Sequence, residues 1–356
     1  MDATIVNVAI PAIRRDFGAS ASQMQWVIDI YTLVLASLLM LSGAAGDRFG
    51  RRRVFQIGLT VFAAGSLLCS LAPGVDALIA ARLIQGIGGS MMNPVALSII
   101  SQVFVGRVER ARALGIWGGV VGISMALGPI VGGMLIELVG WRSVFWINLP
   151  ICGAAIVLTA LFVPESRSVT MRGIDPIGQL LALATLFGLV CVLIEGPALG
   201  WSDPRIAAIA VTAALSFAAF LRYESRREDP FVDLRFFRSV PFASATVIAV
   251  CAFASWGAFL FMMSVYLQGQ RGYSAAHTGL IGALVFSPLS GRMVGRFGAR
   301  PSLLIASLLL TAAPAMLTRL TGVTPIAVVL VIFGVFGIGF AMMVTARLAV
   351  AALGRR

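Results

Sequence analysis

Five ionisable residues stand within or at the edge of long apolar runs: Asp2, Asp29, Arg82, Glu137 and Glu195. Charge is costly in hydrocarbon, so a charge kept there points to chemistry. Arg82, in the stretch LIAARLIQGIGGS, is the first candidate. A guanidinium does not readily release its proton, so its use would be to bias the ionisation of a neighbouring carboxylate, and Asp2 and Asp29 are the candidate partners. The competing reading is an ion pair that only holds helices together. Asp29, in WVIDIYTL, either carries a proton or meets a cationic cargo, or else sits solvated at headgroup level. Asp2 lies beside the amino terminus, and Glu195 reads as part of a solvated loop, Glu195-Gly196-Pro197.

Other chemistries find no residues to carry them. His277 has no His or Cys at ligand spacing, and Cys69, Cys152, Cys191 and Cys251 are scattered singly through apolar segments. The sequence offers no constellation of nucleophile and base, and no nucleotide-binding loop. No enzyme, cofactor or metal site is expected.

The elements that position these groups follow from composition. Of 356 residues 59% are apolar and 12% charged, which describes a polytopic all-α membrane protein rather than a water-soluble domain. The net charge of +12 comes from 27 basic residues, all Arg and mostly in short loops, which fits control of topology and not a nucleic-acid partner. The stretch GAAGDRFGRRR at 43–53 gathers five charges into seven residues between two apolar runs, so it is a loop at a membrane surface. Twenty Arg fall on the side of that loop and six on the other, with Arg82 inside, which places the loop in the cytoplasm of a cell whose plasma (inner) membrane the chain crosses.

Apolar runs at 25–45, 54–72, 77–104, 113–139 and 143–163 follow one another, then 174–193, 206–221, 242–267, 302–318 and 325–346. Two are short. Residues 1–13 reach roughly 20 Å as helix and 278–290 no further, against a core of about 30 Å. Between 115 and 133 the chain reads GIWGGVVGISMALGPIVGG, where Ser124, Gly128 and Gly132 share a stripe that admits a neighbouring helix, and Pro129 removes a backbone donor and bends the span. Trp256, Phe259, Met263 and Tyr266 belong to an aromatic and sulfur-rich run that would line a cavity for hydrophobic cargo or pack as core.

Several of these stretches resemble the major facilitator superfamily. The loop residues Gly43, Asp47, Arg48, Gly50, Arg51 and Arg52 stand at the spacing of that family's signature loop, with a partial echo at Gly291, Arg296, Phe297, Gly298 and Arg300 that suggests two repeated halves. DATIVNVAIP resembles the first-span motif of the fourteen-span drug:proton antiporters, the Arg82 stretch their fourth-span motif, and 115–133 their fifth-span motif, with Ser124 in place of one Gly.

The resemblance implies a major facilitator fold with about 12 membrane segments of an expected 14, the first and tenth shortened, preceded by a missing amino-terminal segment and lacking the last two spans. It implies an amino-terminal six-helix bundle over 1–164, an extra helix pair over 165–241 and an incomplete carboxy-terminal bundle over 242–356. It also implies proton-coupled efflux of amphipathic, cationic small molecules by alternating access. Arg82 would then serve proton transfer with Asp29 or Asp2, and Asp47 would latch the two halves. Gly295 replaces that acid in the second repeat, so a latch would exist on one side only. Gly115, Ser124, Gly128, Pro129, Gly132 and Gly133 would form a hinge. The implied partners are a small-molecule substrate, protons and the lipid bilayer, with oligomeric state left open. The alternatives are export of another metabolite or a self-made antibiotic, or a non-transporting membrane scaffold or sensor. On the truncations, the chain as written is expected to transport poorly or not at all.

Overall fold

The computed structural model describes residues 2–167, 175–227, 234–282, 299–322 and 324–353. Helices make up this structure, and there is no strand among the described residues. The helices are α1 (Asp2–Phe17), α2 (Ala21–Phe49), α3 (Arg51–Leu71), α4 (Val75–Val103), α5 (Arg107–Leu138), α6 (Ser143–Trp146), α7 (Asn148–Phe162), α8 (Pro176–Leu199) and α9 (Pro204–Glu224). After a short 3₁₀ turn at Leu234–Arg238 come α10 (Val240–Val265), a π-type turn at Tyr266–Gln270, α11 (Ala275–Gly282), α12 (Ala299–Leu317) and α13 (Ile326–Leu353). Among the described residues eight helices are long and apolar enough to cross a membrane, with shorter apolar helices at Leu304–Leu317 and Ile326–Phe340. The echo at 291–298 lies outside the described residues.

The chain groups into two compact units. One holds Arg14–Trp117 and Arg142–Arg235, the other Met1–Ile13, Gly118–Trp141 and Phe236–Arg356.

In the first unit, helix ends are closed by side chains. Ser20 opens α2 as a capping box, its hydroxyl accepting from Gln23 N at 3.2 Å while Gln23 Oε1 accepts from Ser20 N at 3.0 Å. Asp203 followed by Pro204 opens α9 in the same spirit, its Oδ1 accepting from Arg205 N at 2.7 Å. Helices α2 and α4 meet along a seam of small residues. A methyl at Gly86 would stand 2.9 Å from Tyr31 O, and lower down the Ser42 and Ser90 hydroxyls meet at 2.9 Å.

The extra pair, α8 and α9, docks on α2. Trp26 Nε1 donates to Glu195 Oε1 at 2.6 Å, Gln179 Nε2 donates to Ser37 O, and Ile30, Leu33 and Val34 pack with Val190 between them. At the other end of the pair, Asp175 Oδ1 accepts from Gly178 N, Tyr223 OH and Arg227, each at 3.0 Å. Glu195 therefore corrects the loop reading. Helix α8 runs on through Pro197 to Leu199 and stops at Gly200, whose φ is +97°. The indole of Trp26 gives the Glu195 carboxylate a partner, so it need not leave the helix to reach water.

In the second unit, α10, α12 and α13 enclose an aromatic core. Phe259 stacks on Phe336 with ring centroids 4.0 Å apart and meets Phe333 edge-on at 4.9 Å. Tyr266 OH donates to Thr321 O at 2.7 Å, and Arg271 Nη1 donates to Gly322 O at 2.8 Å, which ties the π-type turn to the loop after α12.

Candidate transport site

Arg82 is 1% exposed, about two turns into α4 from its amino end. Close approach along the α2–α4 seam brings α2's backbone within its reach: Arg82 Nε donates to Val27 O at 3.0 Å, and the guanidinium lies 4.2 Å from the centroid of the Tyr31 ring. Its Nη1 donates to Gln85 Oε1 at 2.6 Å. The Gln85 amide then passes the chain on, donating through Nε2 to Ser66 Oγ on α3 at 2.8 Å, and Asn148 Nδ2 on α7 donates to the same hydroxyl at 3.3 Å. Gln85 and Ser66 are fully buried. The result is a charge fixed in one place by four helices, in surroundings where an unmade hydrogen bond is expensive.

Asp29 lies on α2 between Val27 and Tyr31. At about 100° per helical residue it projects from the far side of α2 relative to both. The structure therefore does not bring Asp29 to Arg82. Asp2, 8% exposed, belongs to α1 in the other unit.

At the Asp47 end of the first unit, Asp47 Oδ1 pairs with Arg51 Nη2 at 2.7 Å and also accepts from its Nε at 3.1 Å. This supplies the compensation that a carboxylate near a helix carboxyl end requires. Arg51 Nη1 donates to Gln102 on α4, Arg52 Nη1 to Val163 O at 3.2 Å, and Arg48 lies over the Phe49 ring at 5.8 Å. Gly43 faces Pro94. The amino end of α3 is capped from a distance. Glu165 accepts from Arg52 N at 3.1 Å and Arg53 N at 3.2 Å, and Arg51 N donates to Ser166 O at 2.9 Å. Gly50 makes this possible. Its φ is +112°, and a methyl there would stand 2.7 Å from Glu165 Oε1.

The fifth-span residues divide by what they touch. A methyl at Gly132 would strike Ile5 of α1, and one at Gly133 would strike the backbone of Ala275 and Ala276 of α11. Pro129 and Gly128 are buried. Gly115, by contrast, has nothing within 4 Å of where a side chain would begin, and Ser124 turns its hydroxyl back to Val120 O at 2.7 Å. Close packing thus belongs to the Gly-Pro-x-x-Gly-Gly end and not to the whole motif. Of the cavity candidates, Phe259, Met263 and Tyr266 are core residues, Trp256 stacks on Phe340 at 5.8 Å, and Met263 also borders a small cleft.

A family model described as Major Facilitator Superfamily matches residues 1–354. The chain belongs to the major facilitator superfamily. That superfamily consists of transporters, which are not enzymes. This chain is 38% identical over 325 residues to the multidrug resistance protein Stp of Mycobacterium tuberculosis, covering 89% of this chain and 60% of that protein. It is 39% identical over 321 residues to the tetracenomycin C resistance and export protein of Streptomyces glaucescens, with 88% and 59% covered. The methylenomycin A resistance protein of Streptomyces coelicolor is 37% identical over 335 residues, with 91% and 70% covered. The facilitator thus spans about 60% of the length of the first two relatives. Among solved structures, a peptide transporter POT in complex with sulfate superposes with a TM-score of 0.68 at 14% identity, covering 99% of this chain and 85% of that one. A bacterial homolog of the human lysosomal transporter Spinster gives 0.57 at 20% identity, with 97% and 70% covered. These two likenesses concern the fold alone.

The facilitator's structure also shows what the motifs leave out. Gln85, Tyr31, Ser66 and Asn148 hold Arg82, and only Gln85 carried a usable signal, one helical turn beyond Arg82 on the same face. Glu165 follows a span end in sequence, more than a hundred residues from the loop it caps. Glu137 accepts from Ser274 Oγ at 3.3 Å, and the same hydroxyl meets His277 Nδ1 at 2.9 Å.

Proposed function

We propose that this facilitator is the transport body of a proton-driven exporter of amphipathic, cationic drugs working by alternating access, set in the plasma membrane with the Asp47 end cytoplasmic. The observation that carries the reading is Arg82, a permanent charge buried at 1% exposure in an apolar span and held by a preformed polar chain. A charge so placed costs stability, and it is useful where a carboxylate must gain and lose a proton during each cycle. Asp2 and Asp29 are the carboxylates proposed to carry the proton, Asp29 from the far face of α2 and not as Arg82's direct partner. The relatives' names, multidrug resistance and antibiotic resistance or export, support a drug-like cargo. The names that specify one antibiotic also favour a second reading, export of a single self-made compound. Ethidium uptake into inverted membrane vesicles, driven by an imposed pH gradient, tests both. Gradient-dependent uptake, however slow in this chain, that is lost in Arg82→Ala at unchanged membrane abundance is the expected result. Uptake indifferent to the gradient would refute proton coupling, and uptake of one antibiotic without any dye would favour the second reading.

A further inference from the structure

Pro129 sits inside α5 at a point where α1 already packs against it. Proline has no amide hydrogen, so the carbonyl four residues earlier, Met125 O, loses its helical donor. In a lipid-embedded helix such a carbonyl must find another donor, and Ser or Thr side chains and ordered waters are the usual sources. Thr4, fully buried on α1, donates from Oγ1 to Met125 O at 3.4 Å. That bond is long, and a carbonyl oxygen has a second lone pair. Beside the proline lies a cleft of about 10 Å³ with a mainly apolar lining, Met263 included, which four polar residues, Thr4, Asn7, Ser264 and Thr278, also border. Each of the four polar side chains is more than nine-tenths buried. Thr278 donates its own hydrogen to Ser274 O at 3.0 Å, which leaves its lone pairs facing elsewhere. One water needs roughly 10–15 Å³ and two to four polar partners.

We infer that Thr4, together with one water bound in this cleft, supplies Met125 O with hydrogen bonds in place of the one donor that Pro129 withdraws from α5. Thr4 is then the positioning residue of α5 at its proline, and α1 is fastened to α5 there. Gly132 continues the fastening one turn on, where only the absence of a side chain lets Ile5 approach.

The test is a double-mutant comparison on the purified whole chain, reading thermal unfolding in one detergent and ethidium efflux in vesicles. Thr4→Val keeps the shape and removes the hydroxyl; it lowers the folded-to-unfolded ratio by about three- to tenfold, the worth of one net hydrogen bond, and slows efflux. Thr4→Ser restores both. Pro129→Ala returns an amide hydrogen to α5, so Thr4→Val in that background changes unfolding no further. An equal loss in both backgrounds would mean that Thr4 is packing alone and would overturn the assignment. The water is read by hydroxyl-radical footprinting at Met263, which is 4% exposed and borders the cleft. Met263 should oxidise faster than Met24, which is 1% exposed, by more than that small difference in exposure allows, and Ser264→Ala or Thr278→Val should slow it. Equal rates at Met263 and Met24 would remove the water from the proposal. The unfolding and footprinting readouts do not depend on cargo, so a failed exporter reading leaves them intact.

Discussion

Replacing Glu165 tests the idea that the arginine loop is held from a distant segment. Glu165→Ala removes the acceptor of two backbone donors, Arg52 N and Arg53 N, at the positive end of α3. A lost cap costs about 0.5–2 kcal/mol. A lost negative charge at a helix amino end costs about 0.3–1 kcal/mol. The pair with Arg53 adds little, because its separation is 3.7 Å and the Arg53 side chain is 66% exposed. The expected loss is therefore about 1–2.5 kcal/mol for Ala and about half of that for Glu165→Gln, which keeps one acceptor but not the charge. Thermal unfolding of purified protein, reported by a fused fluorescent domain, measures the order wild type, Gln, Ala. Gly50→Ala supplies the cross-check. Its methyl would press on Glu165, so part of its penalty should vanish in the Glu165→Ala background, while the strain of φ +112° remains. The reasoning is wrong if Arg53→Ala alone reproduces the whole loss, or if both Glu165 variants melt as wild type does.

Other perturbations separate the remaining contacts. Gly133→Ala should destabilise by about 1–3 kcal/mol and more than Gly132→Ala, because one methyl meets backbone and the other the end of an Ile side chain; the two melting points, compared directly, check the order. Trp26→Phe keeps the ring but orphans Glu195, and should cost about 1–3 kcal/mol and raise proteolysis of α8–α9 in detergent, with Glu195→Leu in the same background recovering part of the loss. Arg82→Lys preserves charge but has no planar fork to satisfy Val27 O and Gln85 together, so gradient-driven efflux should fall markedly while membrane abundance holds; full efflux would show that charge alone suffices.

The broad architecture was legible because its cause is local. Long apolar runs broken by arginine loops can only be spans, and the structure places helices on the runs at 25–45, 54–72, 77–104 and 206–221 with ends shifted by a few residues. The reading failed where a distant partner changes a residue's circumstances. Glu195-Gly196-Pro197 looks like a loop by its residue types, yet Trp26, far away in sequence, makes a helical carboxylate acceptable. The apolar run at 143–163 gave no sign of the break at Ile147 between α6 and α7. Asp29 looked like a partner for Arg82 because both are ionisable and lie in neighbouring spans. Helical phase separates them, and phase is visible in sequence only after the contacting face is known. The polar chain through Gln85, Ser66 and Asn148 joins three helices, and no single stretch carries it.

The paired hydroxyls of Ser42 and Ser90 also bear on how α2 and α4 move. Sliding one helix along the other by a single residue would carry the buried Ser42 hydroxyl away from Ser90, which keeps its own bond to Ile87 O at 2.7 Å, while the backbone of Tyr31 would no longer face the bare Gly86. Neither change has a cheap intermediate. The two helices are therefore keyed to one register, and any motion that passes through them carries them together as a stiff lever.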